Sequence, residues 1–210
     1  PAAFVVAKLM VPESEEPVTL GSSVPAVDEE CSGSFIEAII NGANRGMQMV
    51  ISIAALLIAF IGITALLNAV IGFAGGGINS IFGWSFSWSL ENLLGYFFRP
   101  FAFFMGVPLS DVPEAGMLLG QRLIMTEVAA FKGLASLAEA GEITARTELI
   151  MSYALCGFAH VASIAIFVGG AVNIVQSRKK EISILGIRAL VAAALATSIT
   201  GAVAGVFCGM

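Results

Sequence analysis

The chain has 210 residues, 58% of them hydrophobic and only 12% charged, with a formal net charge of −5. Soluble domains carry about a quarter charged residues, so this composition excludes an ordinary water-facing surface. Ten basic residues in all against fifteen acidic ones leave nothing basic enough for nucleic acid as a partner.

Charges are missing between Arg45 and Glu91, between Glu148 and Arg178, and after Arg188. Each gap can hold the roughly 20 apolar residues that cross a bilayer. The sequence therefore reads as an all-α integral membrane protein, multi-pass, in the cell membrane (the inner membrane in a bacterium).

Residues 1–12, PAAFVVAKLMVP, read as the end of an apolar helix stopped by Pro12. A helix that opens with neither a cap nor a flanking charge leads to the expectation that the chain is the C-terminal part of a longer protein. Residues 13–46 combine an external loop rich in acid (Glu13, Glu15, Glu16, Asp28, Glu29, Glu30) with an amphipathic helix, FIEAIINGANRG. That acidic run is a solvated surface by composition. The cysteines, Cys31, Cys156 and Cys208, form no CxxC pair, and the two in spans read as small buried apolar residues.

Residues 47–108 read as scaffold transmembrane helices. The strongest span, MVISIAALLIAFIGITALLNAVIGFA, is expected to end at Gly75-Gly76-Gly77. Trp84 and Trp88 suit a membrane interface. A shorter apolar element, LLGYFFRPFAFFMGVP, carries Arg99, which must snorkel or face the protein interior.

Residues 109–148 contain EAGMLLGQRLIMTEVAAFKGLASLAEAGE, interrupted by Arg122, Glu127 and Lys132. Neither half reaches the length of a span, which predicts a re-entrant hairpin of two half-helices meeting near Thr126. An amphipathic surface helix is the alternative on these residues alone.

Residues 149–177 form the next span and hold the chain's only histidine, His160. His160 and Ser163 share a helix face, whereas Phe158 stands about 200° round an ideal helix from His160. If Phe158 and His160 line one pocket, the helix is irregular, and Gly157 is the weak point. Otherwise Phe158 faces lipid and His160 bonds a neighbouring helix. Residues 178–210 supply the Arg178-Lys179-Lys180 loop, cytoplasmic by the positive-inside rule, and the last span. With a hairpin that enters and leaves on one side, the acidic loop and residues 110–114 fall outside.

No catalytic constellation, metal-ligand cluster or phosphate loop occurs, so the reading is not an enzyme, with no cofactor and no metal ligands. The ionisable groups at membrane depth, Glu127 and His160, are the candidate site.

Six stretches in order resemble the C-terminal half of the concentrative nucleoside transporter family: PAAFVVAKLMVPESE, AALLIAFIGITALLN, LLGYFFRPFAFFMGVP, EAGMLLGQRLIMTEVAAF, MSYALCGFAHVASIAIFVGG and LGIRALVAAALATSITGAVAG. The resemblance implies an inverted-repeat secondary transporter, with re-entrant hairpins and broken helices, assembled as a homotrimer. It implies nucleoside symport with a coupling ion, Na+ or H+, by alternating access. The family's Asn-Glu-Phe-Val-Ala-Tyr appears as TEVAAF, so Glu127 matches the ribose-binding glutamate and Thr126 replaces an asparagine. The family's Cys-Gly-Phe-Ala-Asn appears as CGFAH, so Phe158 matches the aromatic beside the base. His160 replaces an asparagine that hydrogen-bonds the ribose, and Ser163 matches a serine that helps to hold it. The departures at Thr126, Phe131 and His160 leave two alternatives: a divergent transporter of another ribosylated or polar solute, or a transport-inactive sensor or scaffold.

Overall fold

The computed structural model of the chain describes residues 1–14, 34–83 and 86–207. Most of the acidic stretch (Glu15, Glu16, Asp28, Glu29, Glu30), together with Cys31, Trp84 and Cys208, lies outside the described residues. Among the described residues the regular structure is all helical, with no strand.

Helix α1 (Ala2–Met10) packs on the last helix, and Lys8 pairs with Glu13 beyond its end. The amphipathic segment and the strongest span are one rod, α2 (Phe35–Phe82), started by Ser34, whose hydroxyl accepts from the Glu37 N–H at 3.2 Å. Its 48 residues extend about 72 Å at 1.5 Å per residue, more than twice a bilayer's hydrocarbon core. The three glycines do not end it. Each costs about 1 kcal/mol of helix propensity, but Trp88 lies against Gly75, and its Nε1 donates to Asn79 Oδ1 at 2.9 Å. The helix stops at Gly83, in the left-handed conformation at φ 66°.

Helix α3 (Leu90–Phe104) has 15 residues, about 22 Å, too short to cross a bilayer alone. It packs closely along α4 (Val112–Ile124). The contact is a Gly116-x-x-x-Gly120 face set against Gly95. A Cβ on Gly120 would meet Gly95 N at 2.6 Å, and one on Gly116 would meet Gly95 O at 2.7 Å. Small residues at this spacing let membrane helices approach backbone to backbone. Arg99 holds its guanidinium 3.8 Å over the Tyr96 ring, a cation–π contact that answers the question its position raised.

The segment 114–142 is two half-helices. Helix α4 ends at Ile124, Met125 and Thr126 break the backbone, and α5 (Glu127–Glu139) begins again. Their feet meet at Asp111. Its Oδ2 accepts from Thr144 N–H (2.8 Å), Thr144 Oγ1 (2.8 Å) and Thr147 Oγ1 (2.6 Å), while Ser110 Oγ donates to Oδ1 at 2.6 Å. The entrance of the hairpin is thus tied to the start of α6 (Ala145–Leu155), directly after its exit. Because Thr144 caps α6, the helix begins four residues before the uncharged run that marked the span.

The span after the hairpin is also broken. Residues 156–160 separate α6 from α7 (Val161–Ile174), and a 3-10 turn (Gln176–Arg178) leads into α8 (Lys179–Phe207). Cys156 lies in that gap and is exposed, not buried in a span as its apolar neighbours suggested. The core gathers α3, α4, α5 and α6, with Leu119, Ile150, Met151 and Leu155 at its centre, each 0–1% exposed. Truncating any of these to alanine costs about 2–5 kcal/mol.

Candidate functional site

Two half-helices start where the two breaks face each other. At the hairpin tip Thr126 is in extended backbone (φ −154°, ψ 163°), and its hydroxyl accepts from the Ala129 N–H at 3.4 Å, capping α5. Glu127 follows in the first turn, where the positive end of the helix dipole favours a carboxylate.

In the second break, His160 caps α7. Its backbone is extended (φ −129°, ψ 159°), and its Nδ1 accepts from the Ser163 N–H at 3.0 Å. An imidazole nitrogen that accepts carries no proton, so the neutral ring has its N–H on Nε2. Nε2 lies 2.9 Å from Glu127 Oε2. That distance is in the hydrogen-bonding range, yet Glu127 Oε2 is buried and has no partner of full hydrogen-bond geometry. A buried carboxylate oxygen left in this state has capacity for a ligand hydroxyl.

The structure therefore brings Glu127, His160 and Ser163 together, with His160 and Ser163 each 3% exposed. The Ser163 hydroxyl is turned back on the chain, 2.6 Å from the His160 carbonyl and 3.2 Å from the Phe158 carbonyl. Phe158 is exposed, with its ring centroid 6.1 Å from that of His160. The break at 156–160 is the irregularity that lets both rings stand side by side. Thr126 faces a cavity of about 350 Å³ between the hairpin tip, α2 and the start of α7, which Thr64, Asn68, Glu91 and Val161 also line. A larger hollow of about 410 Å³ beside Phe131 and Glu148 touches none of the candidate residues. No cluster of three metal-ligating side chains occurs among the described residues.

Reasoning from sequence missed two polar elements. Arg122 looked like a charge that merely interrupts the hairpin, yet it is 1% exposed and donates from Nη1 to the Ala154 carbonyl and to Thr197 Oγ1 (2.9 Å). Asp111 was not singled out at all, although an acid two residues before Pro113 at the start of a half-helix was a signal.

The family model described as Na+ dependent nucleoside transporter C-terminus matches residues 1–205. This chain belongs to the concentrative nucleoside transporter family. Among family members, the uncharacterized transporter YutK of Bacillus subtilis is 37% identical over 99% of this chain and 50% of its own length. Sodium/nucleoside cotransporter 1 of Sus scrofa is 34% identical over 98% of this chain and 33% of its own length. A variant of the transporter CNTnw in an intermediate state superposes with a TM-score of 0.80 at 34% identity, covering 100% of this chain and 49% of that one. CNTnw in an inward-facing substrate-bound state gives 0.67 at 34% identity, covering 97% and 47%. The chain thus has the all-α membrane transporter fold of the family's C-terminal portion, and it spans about half the length of YutK.

Proposed function

We propose that the protein carrying this chain is a cation-coupled nucleoside symporter, driven by Na+ or H+, that works by alternating access in the cell membrane. The observation that supports this most is Glu127. Its carboxylate stands at the N-terminus of one half-helix, 2.9 Å from the residue that caps another, with a buried oxygen lacking a full hydrogen bond. Substrate sites of secondary transporters favour discontinuous helices of this kind. In this reading Glu127 accepts hydrogen bonds from ribose hydroxyls, Phe158 lies beside the base, and His160 and Ser163 frame the sugar at the N-terminus of α7. Thr126 caps the half-helix that presents Glu127.

The hairpin, tied at its feet by Asp111, moves as a unit against α2. That rod exposes apolar side chains along its length, a surface suited to lipid and to the other protomers of a homotrimer. The names of the relatives support nucleoside and sodium as substrate and coupling ion; no nucleic acid, cofactor or catalytic step enters.

One observation favours a second reading, a divergent transporter of another ribosylated or polar solute. Where the family asparagine offers two amide donors, neutral His160 offers a single N–H, on a nitrogen that already stands 2.9 Å from Glu127 Oε2. Uptake of a labelled panel of ribo- and deoxyribonucleosides by the full-length protein in liposomes, under imposed Na+ or pH gradients, tests both. Accumulation of nucleosides against their gradient supports the first reading; a gradient-driven solute outside that panel supports the second.

A further inference from the structure

Arg122 is a charged group that this reading leaves unused. It stands on the last turn of α4 and is the largest of the fully buried side chains among the described residues. A guanidinium stays charged at any working pH, and charge at membrane depth is rare unless it is partnered and functional. Among the described residues no carboxylate lies within ion-pair distance of it. Instead Nη1 donates to the Ala154 carbonyl and to Thr197 Oγ1, while Nε has no acceptor.

Ala154 is the next-to-last residue of α6, so its carbonyl is one of those that no intrahelical N–H satisfies. These carbonyls are the negative end of the helix dipole. In secondary transporters, C-terminal ends of half-helices are places where coupling cations are held. At α6 the protein's own cation fills that place.

We propose that Arg122 is a positioning residue, a tethered cation that ties the C-terminal end of half-helix α6 to α8 and the hairpin, and so sets the break from which His160 faces Glu127. Thr197 serves this junction twice. It accepts from Arg122, and its methyl lies against Gly157 in the break, where a Cβ would meet Cγ2 at 2.2 Å. The junction needs a positive charge at the free carbonyl end, and bulk alone does not meet that need.

The test uses the full-length protein, with hydrogen exchange of residues 155–163 as a readout that needs no substrate. Arg122→Met fills the volume without the charge and is expected to speed exchange about tenfold, the factor matching ~1.4 kcal/mol. Arg122→Lys is expected to stay near wild type. Arg122→Ala opens a guanidinium-sized hole, and millimolar guanidinium chloride is expected to slow its exchange again where the same concentration of urea does not. Wild-type exchange in Arg122→Met overturns the proposal, as does Arg122→Lys exchanging as fast as Arg122→Met with Arg122→Ala unrescued. Should Arg122→Met not fold, Thr197→Val, which removes one acceptor, carries the test. An increase of about fivefold supports the proposal, in line with one lost hydrogen bond, and no increase overturns it. Solute uptake by the same variants rests on the transport reading. The expected exchange pattern in the variants, with no nucleoside uptake by the wild type, would sink that reading and leave Arg122 in its role.

Discussion

Replacing Asp111 with alanine removes the acceptor on which the two feet of the hairpin meet. Four donors reach its carboxylate: Thr144 N–H, Thr144 Oγ1, Thr147 Oγ1 and Ser110 Oγ, at 2.6–2.8 Å. A hydrogen bond to a charged group is worth about 1.5–3 kcal/mol, and four on one carboxylate are not additive. We expect a loss of about 3–5 kcal/mol for Asp111→Ala, since neutral donors, three hydroxyls and a backbone N–H, lose one charged acceptor at once. Asp111→Asn keeps the shape but turns an NH2 toward hydroxyl donors, and should lose about 2 kcal/mol.

Acid supplies an independent check, because Asp111 lies in the turn between α3 and α4, outside the spanning segments. Burial works to raise its pKa, but hydrogen bonds from Ser110, Thr147 and Thr144 outweigh burial and hold the carboxyl well below its ordinary value of 3.8. A depressed folded value means that the stabilisation is complete above the ordinary value and is lost as pH falls through the folded one. The melting midpoint of full-length Asp111→Ala in detergent should therefore lie below wild type at neutral pH, with the gap closing only in acid below 3.8. Equal midpoints at neutral pH, or a gap that is the same in acid, would refute this account of the hairpin's feet.

Gly120→Leu should lower the melting midpoint by the equivalent of about 3 kcal/mol, since the added carbons meet backbone and not a movable side chain; Gly76→Leu, with nothing within 4 Å of its Cβ, is the matched control. His160→Asn keeps a good cap for α7 but withdraws the contact to Glu127. Glu127 Oε2 stands 2.9 Å from His160 Nε2, and an asparagine there cannot titrate, so the substitution should flatten any pH dependence of substrate binding between about 5.5 and 7.5 and shift preference toward ordinary nucleosides. Identical calorimetric profiles for wild type and His160→Asn would make His160 purely structural. Cysteines placed at Ser110 and Ala140, in a background without the native ones, should label from the same side of the membrane; labelling from opposite sides would show a full span.

The broken hairpin was legible because its charges fall too close together for a span, and Thr126 is a residue type that caps helices. The break beside Gly157 was only half legible: the spacing of Phe158 and His160 left a regular helix open, and the resemblance to the family, with its broken helices, favoured the irregular one that the structure has. What His160 does with each ring nitrogen was not legible, since that depends on the turn bringing Ser163 N–H to Nδ1 and on a distant hairpin bringing Glu127 to Nε2. Asp111 and Arg122 were hidden for the same reason. Apart from Ser110, their partners lie 32–75 residues away in sequence, and beyond the proline two residues after Asp111 no local pattern announces them. Helix α3 is the shorter apolar element that its composition suggested, and what the composition did not show is its close packing on α4 through Gly95.

In the transport reading Glu127 holds the solute as a carboxylate. The direct measurement is concentration-dependent uptake of labelled nucleoside by full-length wild type and Glu127→Gln in liposomes, with matched melting curves to establish that both are folded. Charge-assisted hydrogen bonds are roughly twice as strong as neutral ones, so the variant should lose about tenfold or more in apparent affinity or uptake, some 1.4 kcal/mol. A folded Glu127→Gln protein that accumulates nucleoside as well as wild type would remove Glu127 from the site and contradict the account.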